Sequence, residues 1–289
     1  MTSPALQQYL RHLQLANPAN THIRLDAQSQ ALGRYFHSTL TSTFQPVRAH
    51  LDQHIVAYDG YARSYAVDGE GLHIWKLLDH AANDDESVEL DRLCRILHTI
   101  NFYQQASSQA TTLDLFLSIH TRLLTAEEGN HGAAFRRILH LLELPQQQIV
   151  LQLPQIIPNQ RWMLQHVADN YRRNGFRIGV HASDTLQALE LMAKIRPDVI
   201  KIDVRQVVAK DAGAESVQHD SLRTLLKHAN QLGSRVIFKR IETDQQLQSL
   251  TQIVEELSAN QTLPYFLQGF LLDTPKASLG VDNEIAKAA

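Results

Sequence analysis

Apolar positions along the chain change spacing twice. In the first 38 residues Leu10, Leu13 and Leu15 recur among polar neighbours and Asn17-Pro18 interrupts them. That pattern predicts short helical pieces that dock through those leucines. From Thr43 the period shortens. "TFQPV" and "HIVAYDGYARSY" read as two strands across a polar turn, "ESVELDRLCRILHTINFY" as an amphipathic helix, and "TLDLFLSI" as a strand ending at His120. From residue 149 the alternation is regular. The strands "IVLQL", "FRIGV", "DVIKI", "RVIF" and a short "YFLQ" are separated by helices over "NQRWMLQHVADNYRRNG", "TLQALELMAKI", residues 217–232 and residues 243–258.

Short apolar strands alternating with longer helices predict a mostly parallel sheet with right-handed crossovers. So many units in about 240 residues predict an α/β fold of the (β/α) barrel type. Chemistry in such barrels sits at the C-terminal strand ends. Here those positions are Asp59, His120, Gln152, His181, Lys201, Lys239 and Gln268. Only one is a carboxylate, whereas hydrolysis by divalent cations needs several acidic oxygens. His120, His181 and Asp59 are an acceptable zinc ligand set, but histidines that fill polar pockets are the commoner case.

Composition narrows the classes. The 289 residues are 44% hydrophobic and 20% charged, enough to bury a core, and the net charge of −3 gives no footprint for nucleic acid or an anionic membrane. One cysteine, Cys94, excludes an intramolecular disulfide and a cysteine-based zinc site. Its spacing from Leu90, Leu93 and Leu97 predicts core packing. No signal-peptide core and no run near the roughly 20 apolar residues of a membrane span is present, so the expected location is cytoplasmic. No phosphate-binding glycine loop or dinucleotide fingerprint occurs.

The series "FQPV", "LDRL", "RPDVIKIDVRQV", "FKRIET" and "LQGFLLDTP", in that order and spacing, resembles the EAL domain of bacterial cyclic-di-GMP phosphodiesterases. The family versions read approximately YQPI, LDR, LPVDxLKIDRSFV, AEGVET and QGYxxxxP. The resemblance covers residues 40–276 and implies a TIM-like barrel with one antiparallel strand. The expected division is an N-terminal helical extension over 1–38, a degenerate EAL domain over 39–280, and a frayed tail over 281–289.

The family hydrolyses one phosphodiester with two divalent cations held mostly by carboxylates, and this chain departs from that set. "DGY" stands for Glu-Ala-Leu, so Asp59 takes the glutamate's place. His120 falls on an asparagine, and "QLPQ" puts Gln152 and Gln155 on two glutamates. "HASD" puts His181 and Ala182 on the bridging aspartates, and Lys239 stands for the glutamate of AEGVET. An ammonium repels a cation and cannot ligate it. The resemblance therefore implies no catalytic residue, no metal cofactor and no phosphodiesterase activity.

The nucleotide-contacting positions are better kept: Gln45, Pro46, Arg63, Lys201, Asp203, Gln268 and Pro275, with Lys239 added. On an extended strand Asp59 and Arg63 share a face. The expected function is a non-catalytic EAL regulatory protein in motility or biofilm signalling, acting through a protein partner, with metal-free cyclic-di-GMP binding as a candidate property. Fixed cations, namely Lys201, Lys239 and Arg63 with partly charged His120 and His181, would replace the metals. Two alternatives stand beside it: a dedicated metal-independent receptor and a residual phosphodiesterase. In a further version Lys239 neutralises Asp59 or Glu242 and the glutamines fill the site. The loop "SDTLQAL" lacks the glycines of the family's FGTGYSSL, which bears on its shape and on homodimerisation.

Overall fold

The computed structural model of the protein describes residues 3–16, 23–35, 38–65, 84–106, 112–121, 132–155, 161–208, 215–258 and 263–280. Ten strands among these form one sheet: β1 (Ile23–Leu25), β2 (Ala31–Tyr35), β3 (Ser38–Ala49), β4 (Ile55–Tyr65), β5 (Asp114–Ser118), β6 (Ile149–Gln152), β7 (Arg177–Ala182), β8 (Val199–Asp203), β9 (Arg235–Lys239) and β10 (Phe266–Leu267). The last eight close into a barrel. β4 to β10 run parallel, each paired with the next. β3 completes the ring antiparallel to both β4 and β10. This is the TIM-like barrel with one reversed strand that the alternation and the resemblance predict.

Helices lie on the outside: α1 (Pro4–Ala16), α2 (Asp84–Ala106), α3 (Ala133–Leu141), α4 (Arg161–Arg173), α5 (Thr185–Ile195), α6 (Arg205–Val208), α7 (Glu215–Leu232) and α8 (Asp244–Ser258). No helix among the described residues is long and apolar enough to cross a membrane. The N-terminal helix is present, but residues 23–35 form strands rather than further helical pieces. β1 and β2 extend the sheet beside the start of β3. Their apolar faces pack with α1 and α2 in a cluster that includes Leu6, Tyr9, Ala31, Leu40, Leu93 and Leu97, with Leu10 and Cys94 against it. Tertiary burial decides these short segments, because three and five residues are too few to display a period. The side chains of Leu13 and Leu15 and the tail 281–289 lie outside the described residues.

Alternation along each barrel strand sorts the interior into layers. At the N-terminal end Asp114 accepts from Arg177 at 2.7 Å and from Arg235 at 2.6 Å. The middle layer is apolar: Val47, Ala57, Phe116, Val150, Val199 and Ile237. Two residues further along the same strands come Gln45, Asp59, Ser118, Gln152, Lys201 and Lys239, all polar. The apolar layer is thus the floor on which the polar one stands.

The loops that follow β9 and β10 lock together. The Ile241 N–H donates to the Gln268 carbonyl at 3.2 Å, and the Leu271 N–H to the Ile241 carbonyl at 3.1 Å. Gly269 permits the approach: a Cβ there would lie 2.1 Å from the Ile241 carbonyl oxygen. Gly269→Ala is expected to cost about 2–3 kcal/mol by forcing the two loops apart, which a thermal melt reads as a fall of roughly 5–10 °C.

Candidate functional site

The polar layer opens into a cavity of about 730 Å³ at the C-terminal end of the barrel. Asp59 is its centre. β4 carries it inward, and Gln45 sits directly opposite on β3. The carboxylate is buried, and both oxygens are taken. Oδ1 accepts from Gln152 Nε2 at 2.5 Å. Oδ2 accepts from Lys201 Nζ at 2.6 Å, Gln268 Nε2 at 2.9 Å and the Tyr61 hydroxyl at 2.9 Å. Burial alone would raise the Asp59 carboxyl, but the Lys201 ammonium and the Gln268 and Tyr61 donors outweigh it, so it lies below its ordinary 3.8.

Lys201 is just as enclosed. Its side chain is 1% exposed, its ammonium lies 4.7 Å from the Phe116 ring beneath it, and it also donates to Gln268 Oε1 at 3.3 Å. Burial pulls its pKa down, and Asp59 opposes that fall. Gln268 therefore uses both ends of its amide, and its Nε2 also reaches Gln45 Oε1 at 3.2 Å. Gln45 Nε2 donates in turn to the Asp273 carbonyl. The carboxylate fixes the orientation of the Gln152 amide. That leaves Gln152 Oε1 buried with no partner among the described residues.

On the other wall Lys239 Nζ lies 3.2 Å from His181 Nδ1. Burial first, then the charges of Lys239 and Lys201, push the His181 imidazole down to about 3. It is therefore neutral at physiological pH and accepts a hydrogen bond from Lys239, rather than adding positive charge. Lys239 makes no ion pair with any described residue; the partner of Asp59 is Lys201. His120, Gln155 and Pro275 line the same cavity. Pro46, Arg63, Ala182 and Asp203 do not. Arg63 stacks its guanidinium 5.0 Å from the Tyr65 ring. Asp203 is bound by Arg205 through its backbone N–H and two guanidinium nitrogens. Among the described residues no group of three His, Cys, Asp or Glu side chains converges as a metal site would require.

Four contributors were given no site role by the sequence. Tyr61 lies two residues beyond Asp59 on an extended strand, so period-two logic places it on the same face. Arg240 follows Lys239 and lines the cavity with a left-handed backbone, φ 63°. In the FKRIET stretch it stands where AEGVET has glycine. Asp91 of α2 accepts from the His120 N–H at 2.9 Å while pairing with Arg95 at 2.8 Å. From the same helix His98 packs behind Gly60, where a Cβ would lie 3.2 Å from the ring. No local spacing signals either contact.

Removing one member of the central pair strands the other. Lys201→Met is expected to cost about 3–5 kcal/mol at pH 7 by leaving a buried carboxylate without its counter-charge. The sign of the pH dependence also reverses. In the wild type Asp59 is depressed, so its contribution is present above 3.8 and is lost as pH falls through the depressed value. Without Lys201 burial raises the Asp59 carboxyl, and the variant gains stability as pH falls from 7 toward 4. Urea unfolding across that range reads both slopes.

Comparison with known proteins agrees with this architecture. The EAL domain family model matches residues 25–254. No curated protein matches the chain significantly. Similar solved structures include the YkuI protein of Bacillus subtilis, with an EAL domain, in complex with substrate c-di-GMP and calcium. It shows a TM-score of 0.62 and 20% identity over 86% of this chain and 58% of that one. BlrP1 of Klebsiella pneumoniae, as a manganese and c-di-GMP complex, gives 0.64 and 14% over 83% and 56%. The PaMucR phosphodiesterase in complex with c-di-GMP gives 0.60 and 14% over 82% and 92%. The chain thus spans less than two thirds of YkuI and of BlrP1. With the family model covering most of its length and the barrel closed by one reversed strand, the chain belongs to the EAL domain family.

Proposed function

We propose that this EAL domain does not hydrolyse cyclic-di-GMP, that its cavity takes the nucleotide without metal, and that it signals through a protein partner. One observation carries the reading: four protein donors, from Gln152, Lys201, Gln268 and Tyr61, occupy both oxygens of the Asp59 carboxylate. Calcium and manganese accompany the nucleotide in the YkuI and BlrP1 structures. A divalent cation here would have to displace an ammonium and three hydrogen-bond donors from one carboxylate. It would then find amide and imidazole groups in place of further carboxylates. The residues do not fit a pair of divalent cations, and two-metal hydrolysis has no support in them.

What the cavity offers instead is positive charge without a metal. Lys201 is already neutralised by Asp59, whereas the Lys239 ammonium spends one proton on a neutral imidazole and has two left for a ligand. An ammonium fixed on a strand end can meet a phosphodiester oxygen as a metal would, with no water to activate for attack. The cavity's volume lies within the ordinary range for small-molecule sites. A domain that binds without turnover acts by changing what its surface presents, hence the protein partner.

Calorimetric titration with cyclic-di-GMP in EDTA tests the reading. The expected outcome is micromolar binding that chelation leaves intact and Lys239→Glu weakens at least tenfold, with no linear dinucleotide formed after added Mn²⁺. Absence of heat up to about a millimolar, binding weaker than roughly −4 kcal/mol, or manganese-dependent cleavage would contradict it.

A further inference from the structure

Five non-glycine residues among those described have left-handed backbones: Ser29, Gln53, Glu143, Arg196 and Arg240. Four are explained by chain reversal or helix termination. Ser29 and Gln53 lie in the β1–β2 and β3–β4 turns, Arg196 caps α5, and Glu143 follows the end of α3. Arg240 belongs to neither class. It sits directly after β9 at the edge of the cavity, in a conformation that glycine or asparagine adopts at far lower cost. Strain held at a binding site points to the side chain that requires it.

The conformation has a geometric consequence. In an extended chain successive side chains point to opposite faces, so Lys239 and its neighbour would diverge. The φ of 63° breaks that alternation, and both residues line the cavity. The interlocked loops around Gly269 hold the backbone immediately after Arg240 in place. The Arg240 guanidinium is poorly paired. Its nearest carboxylate, Asp203, lies at 3.5 Å and is already held by Arg205. Of the two acids that do line the cavity, Asp59 is committed to Lys201, and Glu242 at the exposed rim makes no ion pair with a described residue.

We infer that Lys239 and Arg240 form a two-cation clamp for a phosphodiester, with Arg240 as the residue that sets affinity for the anion. The inference rests on the reading that the cavity takes the nucleotide. The ammonium supplies a point charge, and the guanidinium a planar fork that matches two phosphate oxygens. Burial, then the neighbouring charges of Lys201 and Arg240, depress the Lys239 ammonium. A bound anion relieves that repulsion, which gives binding a favourable term that the empty protein lacks.

The test pairs affinity with stability. Arg240→Gly and Arg240→Asn both suit a left-handed backbone, so both variants should melt at or above the wild-type temperature. In calorimetry with cyclic-di-GMP in EDTA each should bind at least tenfold more weakly, and the salt dependence of binding should become shallower. Arg240→Lys, which keeps the charge but loses the fork, should fall between. Wild-type affinity in both the Gly and Asn variants, or a lower melting temperature in both, would overturn the clamp while leaving nucleotide binding standing. A wild type that binds no cyclic-di-GMP overturns the clamp together with the reading beneath it.

Discussion

Everything at the top of this barrel is organised around one buried carboxylate. Asp59 is sunk into a layer whose floor is apolar, so its charge must be compensated within hydrogen-bonding distance. Lys201 supplies the charge, and Gln152, Gln268 and Tyr61 supply the remaining donors. These contacts bring together residues of β4, β6 and β8 and the segment after β10, and Gln268 carries the network on to Gln45 of β3. The ring is therefore held at its open end by a polar knot, in the place where an apolar core would otherwise set the geometry.

Such a network is specific because both oxygens of the carboxylate are taken. An amide in place of a carboxylate turns an acceptor into a donor, and at Gln152 the donor end is aimed at Asp59, beside that of the retained Gln268. A lysine at 239 adds a cation where the resemblance implies an acid. The replacements at Gln152, Gln155, His181 and Ala182 remove negative charge, and the one at Lys239 adds a positive charge. On the proposed reading the polarity of the pocket is inverted, and one fold trades catalysis by bound metal for recognition of an anion.

The barrel was legible because its strands are short apolar runs with regular helical spacers, and strand ends in such a fold point at the site. Seven strand-end positions named from pattern alone all line the cavity. The pattern could not show β1 and β2, which are too short to carry a period and are fixed by packing on α2. It offered Lys239 as a partner for Asp59 where the structure has Lys201, a matter of depth within the barrel rather than order in sequence. Arg63 shows the limit of face counting. Two residues past Tyr61 the strand has left the barrel mouth, and the guanidinium meets Tyr65 instead. Arg240 was visible as a cation, but the backbone turn that brings it into the cavity is a conformational fact, not a compositional one.

Binding of manganese itself tests the central claim most directly, because it asks only whether the Asp59 site accepts a cation. Titration of the apo protein with Mn²⁺, followed by loss of the free-ion paramagnetic resonance signal, is predicted to show no stoichiometric uptake up to about a millimolar, the range of binding weaker than roughly −4 kcal/mol. One or two manganese ions bound per chain at micromolar concentration, and lost in Asp59→Asn, would contradict the account and restore the metal to the site.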